Sequence, residues 1–117
     1  MIITLNDSGT PPVEQITDQM RGLITTGLLA SGQRLPSVRQ LASDLGVAPG
    51  TVAKAYRSLE SDGFLVTRIG SGTKVSAEAS STPRDVLAAA TELAVAGKRD
   101  GVDLDEAVRV LRAVWSA

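Results

Sequence analysis

Apolar residues recur at helical spacing in two short segments that are separated by a glycine. Leu41 and Leu45 follow Ser37 on one helical face, and Gly46 then supplies the positive φ that ends a helix at low cost. A second helix is predicted to begin at Pro49. Proline lacks a backbone N–H, and this costs nothing in the first turn of a helix, where N–H groups have no intrahelical partner. Its apolar stripe consists of Val52, Ala55, Tyr56 and Leu59. The pattern predicts two helices that cross steeply at a tight turn, a helix-turn-helix.

Beyond Gly63 the apolar period changes to two, which is the period of a β-strand. The alternation runs from Leu65 to Arg68, stops at Gly70-Ser71-Gly72 and resumes from Thr73 to Val75. This predicts a hairpin, the wing, whose glycine tip lets the backbone approach a ligand closely; an ordinary flexible turn is the alternative. Gln33 to Leu35 is predicted to add a short strand.

A third helix is predicted before the helix-turn-helix, from Pro12 to Thr26. Its apolar stripe is expected to be core and consists of Val13, Ile16, Met20, Leu23 and Ile24. Met1 to Leu5 is predicted to be extended, and it is too short and too polar for a signal peptide or a membrane span.

The composition shifts to alanine, serine, threonine and glutamate from Ser76 to Pro83, after which helical patterning resumes. We predict a helix from Arg84 to Ala96, a turn over residues 97–101, and a last helix capped by Asp103. The fold class is therefore α+β, mostly helical: a winged helix-turn-helix domain over residues 1–76, a linker over 77–83 and a helical dimerisation region over 84–117. One compact winged domain with a helical appendage fits the chain length.

The last two helices carry more apolar surface than a two-helix hairpin can enclose. A second copy of the chain is the favoured partner, and the winged domain of the same chain is the alternative. The predicted dimer-interface residues are Val86, Ala90, Leu93, Leu104, Val108, Leu111 and Trp115. Trp115 is the candidate anchor, unless it is plain core.

Charge is segregated along the chain, although the net charge is only -1. Gly32 to Val75 has a basic surplus, and the rest is acidic on balance. The basic residues are Arg34, Arg39, Lys54, Arg57, Arg68 and Lys74, against Asp44, Glu60 and Asp62. Such a patch neutralises phosphates and releases counterions, so it predicts nucleic-acid binding that weakens with salt.

The strings LPSVRQLASDLGV, TVAKAYRSLESDGFL and TRIGSGTKV closely resemble the DNA-binding domain of GntR-type bacterial transcriptional regulators. The resemblance extends upstream to PPVEQITDQMRGLI and GLLASGQRLPS. The short helical tail resembles the YtrA-type branch of that family, which implies a dimer without a large effector domain and a chain that is complete.

The resemblance implies that Ser37 caps a helix near a phosphate and that Arg39 reaches the major groove or its rim. Thr51 lies near the start of the recognition helix, and Arg68 would contact phosphate or the minor groove. The DNA-binding candidates are Arg34, Ser37, Arg39, Ala48, Pro49, Gly50, Thr51, Lys54, Tyr56, Arg57, Arg68, Gly70, Ser71 and Gly72. For Arg39 and Arg57 the alternative is a solvated, acid-paired arginine, and for Tyr56 it is packing.

The chain departs from the family pattern at Ala48-Pro49-Gly50, where many members carry an arginine that reads guanine. Base readout would then depend more on Arg39, Thr51, apolar contacts with thymine methyl groups, and DNA shape. Lys74 replaces an aromatic residue often found at the base of the wing.

Catalytic chemistry is not expected, because the chain has neither histidine nor cysteine. Asp103, Asp105 and Glu106 begin a helix, where acids cap and complement the helix dipole better than they hold a metal. The prediction is therefore a non-enzyme with no cofactor and no metal.

Together these features predict a homodimeric, sequence-specific DNA-binding transcriptional regulator in the bacterial cytoplasm. It would repress by binding a palindromic operator through a recognition helix at about 49–63 and a wing at about 64–75. The alternative is a winged-helix adaptor that binds only proteins. A small-molecule effector is left open.

Overall fold

The computed structural model describes residues 3–79 and 82–117, which form two compact units, here called the winged unit and the helical unit. Met1 and Ile2 of the predicted extended start, and Ser80 and Ser81 of the predicted linker, lie outside the described residues. In chain order the elements are α1 (Pro12–Thr25), α2 (Val38–Leu45), α3 (Pro49–Ser61), β1 (Leu65–Arg68), β2 (Gly72–Val75), α4 (Arg84–Arg99) and α5 (Leu104–Trp115). No helix in the described ranges combines the length and apolarity that a membrane crossing requires.

The helix-turn-helix is closed by short-range hydrogen bonds that its own sequence provides. The Ser37 side chain accepts a hydrogen bond from the Gln40 N–H at 3.1 Å, which confirms the predicted cap of α2. At the other end Gly46 has φ of 70°, and the Val47 N–H donates to the Ala42 carbonyl at 3.0 Å. This glycine-terminated arrangement satisfies the last carbonyls of α2 and turns the chain within three residues into α3.

One hydrophobic core holds the winged unit together, with α3 packed against α1, α2 and β1. Its buried side chains include the stripe predicted for α3, Ile16, Met20 and Ile24 of the stripe predicted for α1, and the paired ends of the two strands. Val13 and Leu23, also predicted as core on α1, are partly buried and pack against it. The largest fully buried side chains are Ile16, Met20, Leu59, Val52 and Val75. Burial of these aliphatic groups supplies the main stabilisation, at about 25 cal/mol for each Å² of apolar surface.

The amino-terminal segment is attached to α1 by two glutamine side chains that the sequence pattern did not single out. Gln15 is buried, and its amide accepts from the Asn6 N–H at 2.9 Å and donates to the Asn6 and Thr10 carbonyls at 3.0 and 2.7 Å. Gln19 makes the same two-way pairing with Thr4. Each side-chain amide thus makes the two hydrogen bonds that a neighbouring strand would otherwise make with the backbone of this extended segment.

The wing, residues 65–75, is a two-stranded antiparallel hairpin in which Leu65 pairs with Val75 and Arg68 pairs with Gly72. The predicted third strand is present as a single bridge between Arg34 and Lys74. Backbone hydrogen bonds flank this bridge, from Leu35 to Thr73 and from Val75 to Gln33, each at 2.9 Å. The wing is therefore anchored to the segment that leads into α2.

The helical unit corrects one prediction. Residues 97–101 were expected to form a turn, but α4 continues through Gly97 to Arg99. Gly97 is buried, and its carbonyl accepts from the Val102 N–H at 2.8 Å, while Gly101 has φ of 74°. The glycine that ends the helix is therefore Gly101, and Gly97 allows the returning chain to pass close by. Asp103 caps α5 by accepting from the Glu106 N–H at 2.8 Å, as predicted.

Candidate nucleic-acid interface

The start of α2 is held in place by a buried tyrosine of α3. The Tyr56 hydroxyl donates to the Pro36 carbonyl at 2.7 Å, and the residue is only 5% exposed. Burial raises the pKa of Tyr56 to about 12. The prediction that Tyr56 contacts DNA is therefore wrong, because its ring is in the core and its hydroxyl proton is donated to the Pro36 carbonyl. It instead positions the turn that carries Ser37 and Arg39, both of which are exposed.

The first turn of α3 presents backbone and small side chains. Ala48, Pro49 and Gly50 are exposed and Thr51 is half-buried. No side chain caps this helix, since Ala48 occupies the capping position. Amide groups at the amino end of a helix favour acceptor oxygens and negative charge, so this turn can approach a polyanion closely.

Beyond its first turn, α3 presents a basic face. Lys54 and Arg57 are three residues apart and exposed, whereas Val52, Ala55, Tyr56 and Leu59 on the opposite side are buried. This division agrees with the sequence pattern, and it leaves both cations accessible for contacts outside the unit.

The outer face of the wing is also basic. Because side chains alternate along a strand and paired residues share a face, Arg34, Lys74, Val66 and Arg68 lie on the same side of the sheet. The Arg34 guanidinium lies against Gly72, with Nε and Nη2 each 3.4 Å from the position that a Cβ at Gly72 would occupy. Lys74 was counted in the basic surplus but was not among the predicted site residues. Its pairing with Arg34 places it on the outer face of the wing.

The tip of the wing is a tight turn. The Ser71 N–H donates to the Arg68 carbonyl at 3.1 Å, and Gly70 and Gly72 have φ of 85° and 74°. Both glycines therefore adopt the left-handed conformation that favours glycine, and the predicted glycine tip of the hairpin is present. The same turn exposes Ile69 completely, at 107%. Sequence reasoning missed this residue, although an isoleucine directly before a glycine tip is itself a signal that can be read.

The inner face of the wing connects it to the end of α3. Thr67 donates to Glu60 Oε2 at 3.3 Å, and the Thr67 and Thr73 hydroxyls are 3.1 Å apart. Leu65 and Val75 are buried beneath them. The wing and α3 are thus parts of one packed body, so the position of one determines that of the other.

Ion pairing distinguishes this surface from the rest of the winged unit. Seven basic residues lie between residues 3 and 79, and of these seven only Arg21 forms ion pairs with described residues, with Asp18 at 3.8 Å and Asp62 at 3.3 Å. The other six are Arg34, Arg39, Lys54, Arg57, Arg68 and Lys74. Neighbouring acids bond elsewhere: Asp44 accepts from Gln40 at 2.8 Å, and Glu60 accepts from Thr67.

The helical unit leaves most of its predicted interface residues accessible. Val86, Ala90, Leu104, Val108, Leu111 and Trp115 are exposed, and Leu93 is half-buried. On α5 the positions 104, 108, 111 and 115 follow intervals of four, three and four, which is the spacing of a coiled-coil seam. An open groove of about 520 Å³ is lined by Val108, Leu111, Arg112, Trp115 and Ser116.

Among known proteins, the family model "Bacterial regulatory proteins, gntR family" matches residues 12–75, which is more than half of the chain. The chain is 45% identical over 75 residues to the HTH-type transcriptional repressor YtrA of Bacillus subtilis, covering 64% of this chain and 58% of that protein. The chain therefore aligns with less than two thirds of that repressor's length.

Two solved structures are similar to this chain. YtrA from Sulfolobus acidocaldarius, a GntR-family transcription factor, has a TM-score of 0.62 and 40% identity, over 82% of this chain and 99% of that chain. AraR(DBD) in complex with operator ORX1 has a TM-score of 0.55 and 29% identity, over 62% of this chain and 87% of that chain.

Proposed function

Because this chain belongs to the GntR family of bacterial regulatory proteins, we propose that it is a transcriptional regulator that binds duplex DNA through the winged unit. The observation that carries the proposal is the set of six basic residues that have no ion pair among the described residues, of which five are exposed and Lys74 is half-buried. Arg21, the one ion-paired basic residue among the described residues of this unit, also lies over the Phe64 ring at 5.5 Å and has a structural role.

In the proposed complex the amino end of α3 enters the major groove, and the wing lies along the backbone towards the minor groove. Lys54, Arg57 and the cations of the wing contact phosphates, which provides affinity without sequence information. Thr51 and Arg39 are the proposed base readers. The exposed Ala48 and Pro49 have no hydrogen-bonding side chains, so they favour contacts with thymine methyl groups.

We further propose that the protein acts as a homodimeric repressor on a palindromic operator in the bacterial cytoplasm. The name of the Bacillus relative supports repression, and the seam on α5 supports self-association, because a second copy would cover its exposed apolar residues. A two-fold dimer of this kind reads half-sites whose centres are about 34 Å apart, or a multiple of that distance.

The experiment begins with selection of operator fragments from genomic DNA by the purified full-length chain. Binding to the selected duplex and to a random duplex is then measured at several salt concentrations. We expect log K to fall linearly with log salt, with a slope of about -0.9 for each phosphate contact. Binding that is insensitive to salt, or absent on every duplex, would reject the proposal in favour of a protein-binding adaptor.

Variants separate base reading from phosphate contact. Arg39→Ala and Thr51→Ala should weaken binding to the operator more than binding to random duplex, whereas Arg68→Ala should weaken both and make the salt slope shallower by about one for each phosphate that is no longer neutralised. Arg21→Gln is the matched control, since it removes a positive charge from the same unit at a residue that is ion-paired with Asp18 and Asp62. Equal effects on both duplexes for Arg39→Ala and Thr51→Ala would contradict their assignment as base readers.

A further inference from the structure

The tip of the wing carries the most exposed large apolar side chain of the described residues, Ile69. Nothing in the winged unit covers it, so its exposure gives no stability to the fold. A polar residue would fit the second position of this turn equally well, because Gly70 provides the unusual backbone conformation. The isoleucine is therefore explained better by what it meets outside the chain than by folding.

Cations lie next to this apolar tip, on the outer face of the wing. Arg68 directly precedes Ile69, and the Arg34 guanidinium lies beside Gly72 on the other strand of the hairpin. Lys74 is opposite Arg34 in the same sheet. None of the three forms an ion pair among the described residues, so a single aliphatic side chain projects beside a basic face of the wing.

This combination fits one surface in particular. The minor groove of B-DNA is about 6 Å wide, and its two walls carry phosphates. An aliphatic side chain can enter between base steps there and partly unstack them, while flanking arginines neutralise the walls. A purely electrostatic wing would have no use for the isoleucine, and a purely apolar partner would leave the cations unpaired.

We propose that Ile69 acts as an apolar wedge in the minor groove of the operator and bends the duplex, with Arg68 and Arg34 contacting phosphates on either side. This inference rests on the proposed DNA-binding function and adds a residue and a deformation to it. It follows that half-sites with a flexible pyrimidine–purine step under the wing tip bind more tightly than half-sites with a stiff step at the same position.

The test compares Ile69→Ser with Ile69→Leu in the full-length chain on the selected operator. Affinity is measured by fluorescence anisotropy, and the bend by energy transfer between dyes at the two ends of the duplex. Ile69→Ser should lower affinity by about tenfold and abolish most of the bend, because the aliphatic surface buried in the groove is removed. Its salt slope should be unchanged, because no charge is removed. Ile69→Leu should retain both affinity and bend.

Leu28→Ser is the matched control. Leu28 is 75% exposed in the same unit, and it lies in the loop that follows α1 rather than on the wing. It should change neither affinity nor bend. Circular dichroism establishes that each variant is folded, which is expected because neither side chain contributes to the core.

The outcomes distinguish this inference from the function on which it rests. If the wild-type chain binds with salt dependence but Ile69→Ser binds and bends DNA as the wild type does, the wedge is rejected and the proposed function stands. A straight duplex in the wild-type complex would reject the wedge as well. If the wild-type chain binds no duplex, both proposals fail.

Discussion

The hydrogen bond between Tyr56 and Pro36 makes a quantitative prediction about stability. Tyr56→Phe keeps the buried ring but deletes the hydroxyl that donates to the Pro36 carbonyl at 2.7 Å. The variant loses a net contribution of about 0.5–1.5 kcal/mol and leaves a shielded carbonyl unsatisfied, so we expect a total loss of about 1–2 kcal/mol. For a domain of this size each kcal/mol lowers the unfolding temperature by roughly 4–8 °C.

The same residue links stability to pH. Its pKa in the folded chain is raised from 10.0 to about 12, so the unfolded chain loses the phenol proton first as pH rises. The stabilisation from the neutral phenol is therefore complete below pH 10 and is lost as pH rises from 10 towards 12, by at most about 1.4 kcal/mol for each pH unit. Tyr56→Phe lacks this titration, so its stability deficit should shrink over that interval.

Tyr56 is the only tyrosine of the chain, so the assay reports on it alone. Tyrosinate absorbance should appear near pH 12 in the folded protein and near pH 10 in urea, and urea unfolding followed by circular dichroism gives the free energies. Ser58→Ala is the control, because it deletes an exposed hydroxyl from the same helix and should change stability by less than about 0.5 kcal/mol. An ordinary pKa in the folded chain, or a deficit that stays constant from pH 8 to about 12, would refute the reasoning.

Three further predictions concern local structure and assembly. Ser37→Ala removes the cap of α2 and should lower the urea unfolding free energy by about 1 kcal/mol; an unchanged midpoint would mean that the cap is dispensable. Gly72→Ala should lose about 1 kcal/mol and weaken DNA binding, because φ is 74° there and Arg34 is close by. Gly50→Ala, with ordinary φ and open space, should keep its stability, and equal effects would contradict this account. Trp115→Ala should shift the sedimentation of the full chain towards a monomer if α5 forms the dimer seam, whereas an unaltered dimer would place the interface elsewhere.

Sequence periodicity predicted the helix-turn-helix because its signals are local. Ser37, Gly46 and Pro49 act on backbone groups within a few residues of themselves, and the structure confirms the cap, the left-handed glycine and the helix start. The resemblance to GntR-type regulators is confirmed too, since it rests on the same contiguous strings. At Gly97 the prediction of a turn was wrong: α4 continues to Arg99, Gly101 has the positive φ, and the Val102 N–H donates to the Gly97 carbonyl.

The candidate site divides in the same way. The sequence indicated which residues carry charge, but it gave Tyr56 a role in DNA contact that burial and the Pro36 hydrogen bond rule out. It also left Ile69 unassigned, because the pattern of a strand says nothing about which side chain a turn leaves uncovered. The DNA contacts of the remaining residues stay predictions.

The order of basic residues, glycines and apolar stripes along the chain was sufficient to predict the fold class and to locate the basic surplus. Helix and strand periods and local charge depend on residues that are close together in the sequence. Tertiary structure alone decided which cations lack a partner, which hydroxyl is already bonded, and which aliphatic side chain remains in solvent. Those outcomes depend on groups far apart in the chain, such as Arg34 and Gly72 or Pro36 and Tyr56, which meet only when the core is packed.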